Sequence, residues 1–167
     1  MLQKIWAAIV AFFLCLFPWL QPMHSLSAET VANNLMQAIA TEDIKLFEEQ
    51  LSLNLKVNLL KENNEDLSDK IAALFNAIDG EVVSVTWKTM GGVFERDRSG
   101  RSIRQQTLYI EFSTTGGNYE LFGGLEYANN FAPKELGMRS IVLLSSPSYT
   151  ELAQIRATHG EVGLEDR

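Results

Sequence analysis

Apolar residues recur in two different rhythms along the chain. Val31, Leu35 and Ile39, with Met36 beside them, repeat at helical spacing and predict one amphipathic helix. Thr41 and Asp43 make a polar break that caps a second helix, in which Ile44, Phe47 and Leu51 share a face. From Ser52 to Asn64 the signal is mixed. Leu53, Leu55 and Val57 alternate like a short strand, whereas Leu59 and Leu60 do not. A third helix is predicted where Leu67, Ile71, Leu74, Phe75 and Ile78 trace one stripe, with Glu65 and Asp66 in its first turn and Gly80 placed as its C-terminal cap.

The rhythm then changes to two. Val83, Val85 and Trp87 alternate with Ser84, Thr86 and Lys88, and Leu108, Ile110 and Phe112 alternate farther on, as half-buried strands do. Arg98–Arg101 and Thr115–Asn118 carry turn chemistry, Tyr119–Tyr127 and Met138–Leu144 read as further strands, and Pro147 opens a short closing helix with Tyr149, Leu152 and Ile155. If Ser99–Gly100 and Gly116–Gly117 are two-residue loops, counting outward sets Trp87 against Phe112, Phe112 against Leu121, Leu108 against Leu125, Ile110 against Gly123 and Gln106 against Tyr127. Val83, Val85, Trp87, Leu108, Ile110, Phe112, Leu121 and Leu125 then form one apolar face. Ser84, Thr86, Thr107, Tyr109, Glu111, Phe122 and Glu126 form the other. The expected fold is α+β: N-terminal helices packed on a curved, four-stranded antiparallel sheet, with Gly123 and Gly124 allowing a bend.

The N-terminus adds an address. Lys4 precedes an apolar run from Ile5 to Leu20, interrupted by Pro18, and Ser25, Ser27 and Ala28 supply small residues for cleavage. The run is shorter than the roughly 20 residues that a membrane span needs. These features predict a signal peptide over 1–28, a single domain over 29–160, a frayed tail over 161–167, and a secreted or periplasmic location. Cys15, the only cysteine, lies inside that run, so the remaining chain forms no disulfide and no thiolate metal site. The net charge of −7 becomes more negative once Lys4 is lost, which argues against nucleic acid and anionic membranes as partners.

Residues 31–144 resemble a domain-of-unknown-function family of bacterial secreted lipoproteins. The resemblance rests on Leu35-Met36-Gln37-Ala38-Ile39-Ala40-Thr41-Glu42-Asp43, on Leu74-Phe75-Asn76-Ala77-Ile78-Asp79-Gly80-Glu81-Val82-Val83-Ser84, and on the hairpins that follow. It implies a cone-shaped fold similar to nuclear transport factor two and the SnoaL-like, cystatin-like proteins, and a place in the cell envelope. The leader departs from that family, because Phe13 and Leu14 before Cys15 do not suit lipid attachment. The resemblance brings no active-site residues.

Candidate chemistry is sparse. His159 is the one histidine of the domain, beside Gly160 near the end, and reads as a solvated helix-terminal residue. No spacing suggests a metal, a phosphate loop or a nucleophile elbow, so no cofactor is expected. The one acid–base candidate is Glu111 with Tyr109, which would serve a weak cyclase- or isomerase-like enzyme if the carboxylate were buried. A pocket for a small apolar ligand would involve Trp87, Gln106, Gly123 and Tyr127. Tyr109, Phe122 and Glu126 would form a surface for an envelope protein or a second copy in a homodimer. The preferred expectation is a non-catalytic binding module.

Overall fold

The computed structural model describes residues 23–63 and 66–156. The apolar leader with Cys15, His159 and the tail 161–167 lie outside the described residues. A short strand β1 (His24–Ser25) and four helices, α1 (Ala28–Thr41), α2 (Ile44–Glu49), α3 (Leu53–Asn63) and α4 (Leu67–Asn76), come first. β2 (Val82–Arg96), β3 (Ser102–Thr114), β4 (Asn118–Asn129), a 3-10 turn (Pro133–Glu135), β5 (Gly137–Met138), β6 (Ile141–Ser146) and β7 (Thr150–Ile155) follow. The architecture is α+β. The sheet has seven strands rather than the four expected, in the order β2-β3-β4-β6-β7 with β1 and β5 also on β4, and every ladder is antiparallel.

Short-range chemistry explains most helix ends. Asp43 caps α2 by accepting from Leu46 N (3.0 Å), and Asp66 caps α4 by accepting from Ser68 N (2.9 Å). Ser27 caps α1, and Leu26 N donates to Tyr127 O (2.8 Å), so the residues just before α1 are stitched to the sheet. The mixed stretch after Ser52 is helix. Leu55 and Leu59, four apart, are buried, while Leu53 and Leu60 stay exposed; the four-residue period therefore prevails over the short alternation. Gly80 does not cap α4, whose C-cap is Ala77. The closing helix is also corrected. Pro147 and Tyr149 stand in a turn, and β7 pairs with β6 so that Ile155 is buried opposite Ile141.

Both hairpins close one residue away from the expected loops. Asp97 N donates to Arg101 O (3.0 Å), leaving a three-residue loop, Arg98–Gly100. Asp97 holds it by accepting from Ser99 Oγ (2.7 Å), Arg101 N (3.0 Å) and Arg101 Nε (2.7 Å). Burial pushes the Asp97 carboxyl up, but these hydrogen bonds and the Arg101 charge outweigh it and leave it below its ordinary value. In the second hairpin Thr114 N donates to Gly117 O (2.8 Å), and the Thr114 hydroxyl accepts from Gly116 N and Gly117 N. The loop is thus Thr115–Gly116. Sliding a two-residue loop by one position moves the register by two, so every side chain keeps its face. Observed partners are Phe112 with Tyr119, Ile110 with Leu121, Leu108 with Gly123 and Gln106 with Leu125. In the first hairpin the three-residue loop would reverse the faces, but a bulge at Gly91–Gly92 reverses them back, and Trp87 lies opposite Ile110.

Leu108, Ile110, Leu121 and Leu125 lose all their accessible surface beneath the helices, in one core with Leu35, Phe47, Ile71 and Leu74. The expected inner face is corrected at its margin. Val83, Val85 and Trp87 remain exposed, because they belong to the edge strand β2 and the helices do not cover them. Gly123 has no room above it. Arg139 N donates to Gly124 O (2.7 Å), so the link from β5 to β6 stays beside β4, and a Cβ on Gly123 would overlap the Ser140 carbonyl, whose carbon stands 2.7 Å away. Gly123→Ala is expected to cost about 3 kcal/mol, since backbone rather than a flexible side chain must yield. Urea unfolding measures it; an unchanged midpoint would mean that the Ser140 carbonyl does not press on Gly123.

Candidate functional site

Two surfaces of the sheet carry unusual groups. The first is the free edge of β2, which pairs only with β3 among the described residues. Its side chains toward the helix layer include Val85 and Trp87, and its outer side carries Ser84, Thr86, Lys88 and Met90, as their partners Phe112, Ile110, Ser113, Glu111, Tyr109 and Thr107 dictate. Val83 is 68% exposed, Met90 49% and Trp87 40%. An edge strand of this length with so many exposed apolar groups is uncommon, because it offers another chain both hydrogen bonds and grease. Beyond the Gly91–Gly92 bulge, Phe94 is 59% exposed, with the Arg104 guanidinium 5.5 Å from its ring centroid. At the other end of β2 a hollow of about 340 Å³ opens between α1, α4 and the strand, lined by Ile39, Phe75, Ile78, Gly80 and Val82 among others.

The second surface is the outer face. Glu111 and Glu120 are direct cross-strand partners, an arrangement that repels unless each charge finds its own counterpart. Lys88 Nζ donates to Glu111 Oε1 (2.9 Å), and Tyr109 donates its hydroxyl to Glu120 Oε2. The Lys88 ammonium lies 4.9 Å from the Tyr109 ring centroid, and the Tyr109 and Phe122 rings stack at 5.6 Å. A shallow polar hollow of about 240 Å³ adjoins them, lined by Thr86, Glu111, Ser113, Asn118 and Glu120 among others.

The proposed acid–base pair is therefore divided between two partners: Glu111 serves Lys88, and Tyr109 serves Glu120. Glu120 escaped the sequence because the register slipped by two set it against Ser113 rather than Glu111. The four residues expected to line an apolar pocket take different places in the sheet. Trp87 lies on the edge strand, Gln106 is half-buried opposite Leu125, Gly123 is roofed by Ser140, and Tyr127 sits in a bulge of β4. Of the expected contact surface, Tyr109 and Phe122 are adjacent and half-buried, whereas Glu126 is fully buried and accepts from Asn129 Nδ2 (2.9 Å).

Residues 34–146, from within α1 to the end of β6, match the model of a domain of unknown function, DUF5104. The chain belongs to that family. No curated protein matches it. The DUF5104 region contains both hairpins, the β2 edge and the Tyr109–Glu120 pair; β1 and β7 fall outside it. Among the described residues no group of three or more histidine, cysteine or acidic side chains is placed to hold a metal, and no helix is long and apolar enough to cross a membrane.

The hydrogen bond to Glu120 pushes the Tyr109 hydroxyl up from 10.0 to about 12, with burial and the negative charges of Glu120 and Glu111 adding to it. Ionisation would remove the donated proton and set a phenolate against a carboxylate. Because the folded value lies above the unfolded one, the stabilisation is complete below pH 10 and is lost as pH rises toward 12. Tyr109→Phe in a DUF5104 chain is expected to cost about 1–2 kcal/mol at neutral pH, leaving Glu120 short of a donor, and to flatten the alkaline fall in Tm. Thermal melts of both proteins from neutral to alkaline pH check this. Parallel curves would remove the pair from the energetics.

Proposed function

We propose that the protein is an exported, non-catalytic interaction module that takes an extended segment of a protein partner along the free edge of β2. The carrying observation is that edge itself: a long strand with one side unpaired and Val83, Val85, Trp87 and Met90 exposed on it. Strand addition provides main-chain hydrogen bonds, and alternate side chains set the preference for a sequence. The leader supports secretion or a periplasmic address, where such a partner would be an envelope protein. Helices followed by a bent antiparallel sheet support a relationship with the cone-shaped, nuclear-transport-factor-two-like folds. A small apolar ligand is the weaker reading, since the inner face beneath the helices is filled by Leu108, Ile110, Leu121 and Leu125.

With Trp6→Phe and Trp19→Phe as background, Trp87 is the one tryptophan left in the chain, so its emission reports on this edge. A synthetic peptide of about eight residues alternating valine and threonine, long enough to form one strand, is the probe. It should shift and quench Trp87 emission, whereas laurate should leave the Tm unchanged. A rise in Tm with laurate and no response to the peptide would reverse the assignment.

A further inference from the structure

The geometry of the edge also selects an occupant, a step that rests on the edge reading above. The Gly91–Gly92 bulge, with Gly91 at φ 64°, and a second register shift at Val83 interrupt the strand, so regular outward pairing is limited to about Ser84–Met90. A second copy laid antiparallel on this run keeps helix-side residues opposite helix-side residues only if the two-fold axis passes through a residue rather than between two. An axis at Lys88 would set two ammonium groups face to face. An axis at Trp87 sets the two indoles together, Val85 against Thr89, and Thr86 against Lys88.

That axis has a second consequence, drawn from the other end of the strand. Counting outward from Trp87, with the extra residue at Gly91–Gly92 allowed for, carries Phe94 of the second copy to the level of Gly80–Val82, where the hollow of about 340 Å³ opens. Phe94 lies on the helix side of the sheet, because it is opposite Arg104 while its neighbour Val93 is opposite Gln105 on the outer side. The hollow opens toward that same layer, between Ile39, Phe75 and Ile78. An exposed aromatic and a hollow lined by Ile39, Phe75, Ile78 and Val82 together with Glu42 and Glu81 thus meet twice, once on each side of the axis, as an isologous interface requires.

We propose that two copies pair antiparallel along β2 about a two-fold axis at Trp87, each seating Phe94 in the hollow of the other. The strand edge and these side chains bury on the order of 500 Å² per copy, about 1,000 Å² in all, which is the lower limit for a specific interface. The dimer therefore forms at micromolar rather than nanomolar concentration. Because both copies are acidic, with a net charge of −7, salt strengthens the pairing.

Sedimentation of the purified chain from about 1 to about 200 µM should pass from one-copy to two-copy mass. Trp87→Lys should abolish the shift, and Phe94→Ala should weaken it at least about tenfold. Both replace exposed side chains, so far-ultraviolet circular dichroism and Tm should not change. With Cys15→Ser as background, Trp87→Cys should give a covalent dimer under mild oxidation, while Val93→Cys should not. Dimerisation unaffected by Phe94→Ala overturns the seating. A chain that stays monomeric throughout yet binds the valine–threonine peptide overturns the second copy and leaves the edge reading standing; one that does neither sinks both.

Discussion

Complete burial of the inner face of β3 and β4 is the constraint on which the remainder of this fold depends. Leu108, Ile110, Leu121 and Leu125 have no accessible surface, and each loses that burial if its strand slips by one residue. Slips by two cost far less, since they exchange neighbours without exchanging faces. The structure shows where that freedom is resolved: the Thr114 hydroxyl collects Gly116 N and Gly117 N, and Ser140 closes over Gly123. One hydroxyl and one close backbone contact choose among registers that hydrophobicity alone would accept.

The same core accounts for what is left uncovered. Four helices roof β3 and β4 and reach the far edge, where α4 packs against β7 and Ile155 is fully buried. Of these helices α1 approaches β2, near its start, and Val83, Val85, Trp87 and Met90 stay exposed. Natural sheets usually blunt such an edge with a proline, inward charges or a short strand. Here the blunting is limited to the Gly91–Gly92 bulge and to Lys88, which is drawn away to Glu111 on the outer face. An edge left this open is a liability for a solitary chain and an asset for one that pairs.

The outer face has a different logic. Glu111 and Glu120 are held side by side, and the sheet tolerates them because Lys88 and Tyr109 each take one. Stacked Phe122 and the ammonium over the Tyr109 ring bind these groups into one patch. Such a patch ties β2, β3 and β4 together beside the free edge through Lys88, Tyr109, Glu111, Glu120 and Phe122. The two surfaces are thus mechanically linked although they face different ways.

Periodicity and local polar chemistry determined the class of fold, the order of helices before strands, the division of residues such as Ile110 and Tyr109 between two faces, and the cap at Asp43, whereas Asp66 was expected inside the first turn of α4 and instead caps it. These are local properties: a side chain's direction follows from the dihedral period, and a cap from its own few residues. Neighbour relations across the sheet were not legible, because a loop moved by one residue leaves the alternation intact while replacing every partner. Glu120 beside Tyr109 and Leu125 opposite Gln106 were hidden for that reason. The strand formed by Thr150–Ile155 was hidden for another, since Tyr149, Leu152 and Ile155 keep helical spacing and only the presence of β6 makes pairing the better use of their backbone. Whether Trp87 is core or surface depended on how far the helices reach. No pattern within β2 encodes that distance; it is set by how α1 and α4 pack on strands elsewhere in the chain.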